Sequence, residues 1–189
     1  MSPFADGAAD IEMVTRAALT AARAHAGQTR KGRDQLPYIM HPLEVAHLVA
    51  RDGATADAVI AALLHDTVED SDLTACEIAV EYGDEVAELV AALTDAPDWA
   101  DLPRPERKAR QAAHMPKAPA EARRIKIADQ LSNLGDIARD PGAWSRDQAE
   151  SYIAGAEEVV DACRGVSPRL EAAFDAVATE AMQKIGSHA

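Results

Sequence analysis

The stretch Ala61-Ala62-Leu63-Leu64-His65-Asp66-Thr67-Val68-Glu69-Asp70 ends an apolar run with one imidazole and three carboxylates. On a helix, His65 and Glu69 are i,i+4 neighbours, and so are Asp66 and Asp70. One helical end then carries four groups able to bind a metal or move a proton. Charge of this kind beside buried apolar residues is costly unless something compensates it, and a divalent cation would. Two other places offer ligands of the same type: His41, at the entry of an earlier helix, and Asp129, beside the apolar stripe of a later one. Two imidazoles and two carboxylates suit manganese, and would also hold zinc or iron. The lack of thiolates among them argues against a structural zinc site. Four protein ligands leave positions open on a six-coordinate ion, where water becomes a usable nucleophile near neutral pH. Glu69 and Asp70, one turn beyond His65 and Asp66, are placed to orient that water or accept its proton. Taken singly, each of these residues also reads as a cap, a salt-bridge partner or a satisfied buried polar group. Their grouping on an apolar helix favours the metal.

The elements that must position these groups read almost throughout as helix. Aromatics are 4% of the chain, and no run alternates β-branched residues with period two. A first helix is expected from near Ala8 to Ala26, stopped by Gly27. A basic loop, Gln28 to Pro42, precedes a helix that opens on Pro42 and runs to Arg51. Thr55 caps the third helix, which carries Val59, Ile60, Leu63 and Leu64 into the His-Asp stretch and should be central. Thr74-Ala75-Cys76-Glu77 forms a capping box for the fourth, ended by Gly83. The fifth begins at Asp84 and buries Val86, Leu89, Val90 and Leu93. A loop from Thr94 to Pro105 leads to a basic helix, from Arg104 to near His114. The next helix starts around Pro119 and buries Ile125, Ala128, Leu131 and Leu134, with Asp129 and Asn133 on one face. Helices from Ser145 to about Arg164 and from Ser167-Pro168 to about Ile185 complete the chain. The pattern predicts an all-α fold: one compact domain over 1–189, a helical bundle of about eight to ten helices, with a metal-site core about 24–135 and C-terminal helices about 145–186.

Composition narrows the function classes. A net charge of −13, from 32 acidic and 19 basic residues, disfavours nucleic acid and anionic membranes as partners. The basic residues nevertheless cluster, at Arg30-Lys31-Gly32-Arg33, Arg104 to Arg110 and Arg123-Arg124-Ile125-Lys126, which leaves room for a small anionic substrate. No apolar run approaches the ~20 residues of a membrane span. The first residues, Met1 to Asp6, read as loose and carry no signal-peptide pattern. Two cysteines far apart, Cys76 and Cys163, fit a reducing compartment and a cytoplasmic protein.

At four segments the sequence resembles the HD-domain metal-dependent phosphohydrolases, and more closely the hydrolase domain of the RelA/SpoT family in its stand-alone form, the small alarmone hydrolases. The segments are Ala24-His25 through Gln28-x-Arg30-Lys31, Pro37-Tyr38-Ile39-x-His41-Pro42, Ala61 to Asp70, and Lys126-Ile127-Ala128-Asp129-Gln130-Leu131-x-Asn133-Leu134. Weaker similarity continues through Trp144-Ser145 and Tyr152. The resemblance implies one manganese ion held by His41, His65, Asp66 and Asp129, other divalent metals remaining open. It implies removal of the 3′-pyrophosphate from guanosine tetraphosphate or pentaphosphate, with Glu69 and Asp70 handling the attacking water. It assigns Arg30, Lys31, Lys126, Asn133 and Tyr152 to the substrate. Because the chain ends after this region, hydrolysis alone is expected. Two positions depart from the family pattern. Gly135 stands where an Arg is usual, so one cation is absent. Ser132 replaces a bulkier side chain, which would enlarge or reshape the base pocket. These departures keep a phosphatase acting on another phosphorylated nucleotide, such as NADPH, as an alternative. A non-catalytic nucleotide-binding module is a further one, opposed by the intact Glu69-Asp70 pair. Dimerisation through the C-terminal helices is compatible with the pattern but not demanded by it.

Overall fold

Ten α-helices form among the described residues of a computed structural model, which describes residues 4–32 and 34–187. They are α1 (Phe4–Ala24), α2 (Met40–Arg51), α3 (Ala56–Leu64), α4 (Thr67–Asp70), α5 (Ala75–Tyr82), α6 (Asp84–Leu93), α7 (Arg104–His114), α8 (Ala120–Arg139), α9 (Arg146–Cys163) and α10 (Pro168–Ser187). No strand occurs among these residues; a single antiparallel bridge joins Thr29 and Pro37.

Several boundaries follow from local chemistry. Thr55 accepts the Ala58 N–H at 3.2 Å and caps α3. Thr74 and Glu77 close a reciprocal capping box on α5, and Ser145 and Gln148 close another on α9. Gly83 joins α5 to α6 at a φ of +94°, a conformation that a side chain would strain. The first helix begins at Phe4, four residues before the expected Ala8, and ends at Ala24. The expected loose start falls partly on residues 1–3, outside the described residues, as does Arg33 of the basic loop. Helix α2 starts at Met40, so Pro42 is its third residue; its missing N–H is still one that the first turn would leave unpaired.

The largest difference from expectation lies at the His-Asp stretch. Helix α3 does not run through it but ends at Leu64, and the chain restarts as the short turn α4. Side chains take the carbonyls there: His65 Nδ1 bonds Ala62 O at 2.9 Å, and the Thr67 hydroxyl donates to Leu64 O at 2.7 Å. Asp66, at φ −98° and ψ −6°, sits in the joint. The break turns Asp66 toward His41 and lets Glu69 and Asp70 lie at the rim.

Two helices carry the centre of the molecule. Six of the nine residues of α3 are buried, and so are twelve of the twenty of α8. The expected stripe on α8 is buried, but so is every residue from Ile125 to Ser132, because α2, α3, α6, α9 and α10 all pack on this helix. Enclosure on all sides places the polar residues Lys126, Asp129, Gln130 and Ser132 inside the protein. Such residues are retained only with partners.

Candidate active site

His41 from α2, His65 and Asp66 from the α3–α4 joint, and Asp129 from α8 meet at one point. His41 Nε2 lies 3.5 Å from Asp66 Oδ2 and 3.3 Å from Asp129 Oδ1, and His65 Nε2 lies 3.2 Å from Asp66 Oδ2. Ligand atoms of His41, His65 and Asp66 fall within 4.8 Å of one another. Asp129 joins this set through His41.

The partners of the other ring nitrogens decide the tautomers. His65 Nδ1 faces a carbonyl, which only accepts, so Nδ1 carries the hydrogen. Ser132 Oγ donates its one proton to Glu44 Oε2 at 2.8 Å, so it accepts from His41 Nδ1 at 3.0 Å. Both Nε2 atoms then turn lone pairs toward carboxylate oxygens. His65 Nε2 is buried and makes no hydrogen bond. Acceptors facing acceptors in a buried space are satisfied by a cation between them, so the residues present fit a divalent metal. Without a metal the site leans on protonation. Burial works against charge on His65, yet Asp66 and Asp129 outweigh it and push the imidazole up to about 9. Burial likewise opposes charge on Asp66, but His65 and His41 hold its carboxyl well below the usual carboxylate range.

Asp129 is held from several sides. Lys126 Nζ approaches Oδ2 at 3.3 Å, Gln130 Nε2 donates to Oδ2 at 2.7 Å, and Asn133 Nδ2 donates to Oδ1 at 2.6 Å. Gln130 is in turn held by Lys108 Nζ at 2.7 Å. Burial would neutralise Lys126, but Asp129, Asp66 and Glu69 keep it charged and raise its pKa. Lys126, assigned to the substrate by resemblance, thus lies beneath a candidate ligand and outside the cleft lining described next.

That cleft, of about 170 Å³, opens beside the cluster and is lined by Arg30, Lys31, Tyr38, Arg104, Asn133, Asp136, Trp144 and Tyr152. The Tyr38 hydroxyl donates to Asp66 Oδ2 at 2.7 Å and joins the cleft to the metal-type cluster. Arg30 pairs with Asp136 and donates to Asn133 Oδ1 at 3.3 Å. Lys31 Nζ lies 3.6 Å above the Trp144 ring, which meets Tyr152 edge-on at 5.3 Å. The Arg104 guanidinium stands 5.3 Å from the Tyr152 ring. Burial, then the nearby Arg104, lowers the pKa of Lys31. A partly desolvated lysine beside a guanidinium is a setting that phosphate groups relieve. The structure brings Arg30, Lys31, Asn133 and Tyr152 into one wall. It adds Arg104, Tyr38 and Trp144. Arg104 lay in a basic cluster visible in the sequence, but nothing local singled it out from its neighbours.

Glu69 and Asp70 stand at the rim with exposed side chains. The Asp95 N–H donates to Glu69 Oε1 at 2.6 Å. Loss of surrounding water nevertheless raises Glu69 above an ordinary carboxylate, against that hydrogen bond. Asp70 is raised by the same loss and by Asp66. A carboxylate with raised affinity for protons suits a proton acceptor.

The profile of the HD domain matches residues 17–154, a span that holds every residue of this site. The chain therefore belongs to the HD-domain family. Within that family it is 40% identical over 169 residues to the guanosine-3′,5′-bis(diphosphate) 3′-pyrophosphohydrolase MESH1 of Xenopus tropicalis, covering 88% of this chain and 93% of the relative. The human MESH1 protein is 40% identical over 157 residues, covering 82% and 86%. A solved structure described as a metazoan orthologue of SpoT that hydrolyses ppGpp superposes with a TM-score of 0.80 at 32% identity, over 87% of this chain and 93% of that one. A Listeria monocytogenes structure superposes at 0.62 with 31% identity, over 77% and 99%.

Proposed function

We propose that this chain is a manganese-dependent hydrolase that removes the 3′-pyrophosphate of guanosine tetraphosphate and pentaphosphate. The observation that carries the reading is a buried set of imidazole and carboxylate groups joined, through Tyr38 on Asp66 and Asn133 on Asp129, to a cleft of cations and aromatic rings. The activity named for relatives that match nearly the whole chain supports it.

His41, His65, Asp66 and Asp129 would hold the ion. A divalent cation held by them would supply Lewis acidity, lowering the pKa of water and offsetting charge on the phosphate. Glu69, oriented by the Asp95 N–H, and Asp70 accept the proton that the attacking water loses. The water oxygen bonds to the phosphorus next to the ribose and the bond from that phosphorus to the 3′ oxygen breaks; the 3′ oxygen takes up a proton to become the ribose hydroxyl, and pyrophosphate departs carrying the water oxygen. Arg30, Lys31 and Arg104 neutralise the phosphate oxygens, while Trp144 and Tyr152 give the nucleoside an aromatic wall. Asn133 and Tyr38 hold Asp129 and Asp66 in place from the cleft side.

The test is hydrolysis of guanosine tetraphosphate and of NADPH by purified protein with manganese, with and without a chelator. A higher kcat/KM on the alarmone, abolished by the chelator, is expected. A much higher kcat/KM on NADPH would overturn the substrate. Activity unaffected by complete metal removal would overturn the centre.

Placement in the cytoplasm is part of the same reading and is supported by two free cysteines. No helix among the described residues is long and apolar enough to cross a membrane. A single hydrolase domain over 1–189 is supported by one continuous core whose buried members come from every helix but the four-residue α4, the polar α7 adding only Ala112. Sedimentation equilibrium of the purified protein decides between monomer and a homodimer through α9 and α10.

A further inference from the structure

We propose that Glu44 and Ser132 are positioning residues for His41. Together they fix its Nδ1–H tautomer and ring orientation, so that Nε2 alone is presented to the metal. This rests on the metal-centre reading above. Ser132 lies in the middle of α8 at 5% exposure. A serine inside a helix commonly turns back to the carbonyl four residues before it. Ser132 instead bonds across the interface with α2. It donates to Glu44 Oε2 at 2.8 Å and meets His41 Nδ1 at 3.0 Å. A hydroxyl alone would leave His41 free in either tautomer, because it can donate or accept. The Glu44 carboxylate removes that freedom by taking the hydroxyl proton. Glu44 is itself anchored, with Arg139 Nη2 3.7 Å from its Oε1. Arg139 also pairs with Asp136, the partner of Arg30. Ser132 does not line the cleft, so it acts beneath the ligand rather than on the base pocket.

Groups that orient a metal-bound histidine typically contribute 10–100-fold in metal affinity. Calorimetric titration of metal-free protein with Mn²⁺ reads this without turnover. Ser132→Ala is expected to weaken binding about 10–100-fold, Ser132→Thr to restore it to within about threefold, and Glu44→Ala to weaken it in the same direction. Nitrogen NMR of the His41 ring in metal-free protein, at a pH where the ring is neutral, should show the Nδ1–H tautomer in wild type and a mixed or reversed tautomer in Ser132→Ala and Glu44→Ala. Unchanged affinity and an unchanged tautomer in these variants would overturn the proposal. Should Ser132→Ala fail to fold, Glu44→Ala, at a partly exposed side chain, carries the same decision. If wild type takes up no Mn²⁺, the metal-centre reading fails, and the tautomer still decides whether the relay exists.

Discussion

Two carboxylates four residues apart, Asp66 and Asp70, and a third between them, Glu69, differ in what their loss should do. Asp66 touches both histidines and the Tyr38 hydroxyl. Asp66→Ala should lose both Mn²⁺ binding and turnover, as read by calorimetry and by pyrophosphate release. Glu69 contacts the Asp95 N–H and none of the ligands. Glu69→Gln should keep Mn²⁺ affinity while kcat falls about 10²–10⁴-fold, the range for a lost general base. Equal losses of metal in the two variants would refute the division of labour. Across the cleft, Trp144→Ala removes the ring under Lys31. Its expected signature is a KM raised about tenfold with kcat little changed, as for binding energy used equally in ground and transition states. The types of these residues, and which of them were candidates for a metal, were legible in the sequence. Their partners were not. Lys126 sits in the same short motif as Asp129, and a sequence does not say whether such a lysine faces substrate or, as here, the carboxylate beneath it.

At the scale of elements, the sharpest packing constraint is the crossing of α7 and α9. Lys108 of α7 runs its aliphatic stem over Gly155 of α9, and a Cβ at Gly155 would stand 3.0 Å from Lys108 Cγ. Gly155→Ala gains helix propensity but overpacks a buried contact. It should destabilise by about 1–3 kcal/mol, measured by urea unfolding. A stabilised Gly155→Ala would show that the crossing can relax. Helix starts were legible because caps are local: the Thr55, Thr74 and Ser145 caps lie where serine and threonine side chains reach the next turn. The end of α3 was not, since Leu64-His65-Asp66-Thr67 holds no glycine or proline. It breaks where side chains and a tertiary cluster compete for the backbone.

For the molecule as a whole, one buried amine links stability to pH. Burial, against the pull of Asp129, lowers the Lys108 ammonium from 10.5 to about 8. Below about 8 both folded and unfolded chains keep the proton, and the cost of the buried charge is present in full. Between about 8 and 10.5 the unfolded chain holds a proton that the folded one has lost, so stability rises with pH through that window. Relative to Lys108→Met, whose side chain does not titrate, wild type should therefore gain urea resistance between pH 7.5 and 9.5. A gap that stays constant or moves the other way would contradict the assignment.

Taken by itself, the sequence determined an all-helical chain, most of its helix boundaries to within a few residues, and the residue types of a candidate metal site with neighbouring acids. These are short-range properties: helical periodicity, caps and i,i+4 spacing act within a few turns. Tertiary structure decided how α2, the α3–α4 joint and α8 rotate about one another to bring Asp66 and Asp129 to within 3.5 Å of His41 Nε2. It also decided that Arg104 and Trp144 complete the cleft and that Ser132 serves His41 rather than the pocket. Those outcomes depend on helix crossings between residues up to about a hundred positions apart, and the packing of whole helices, not any local pattern, sets them.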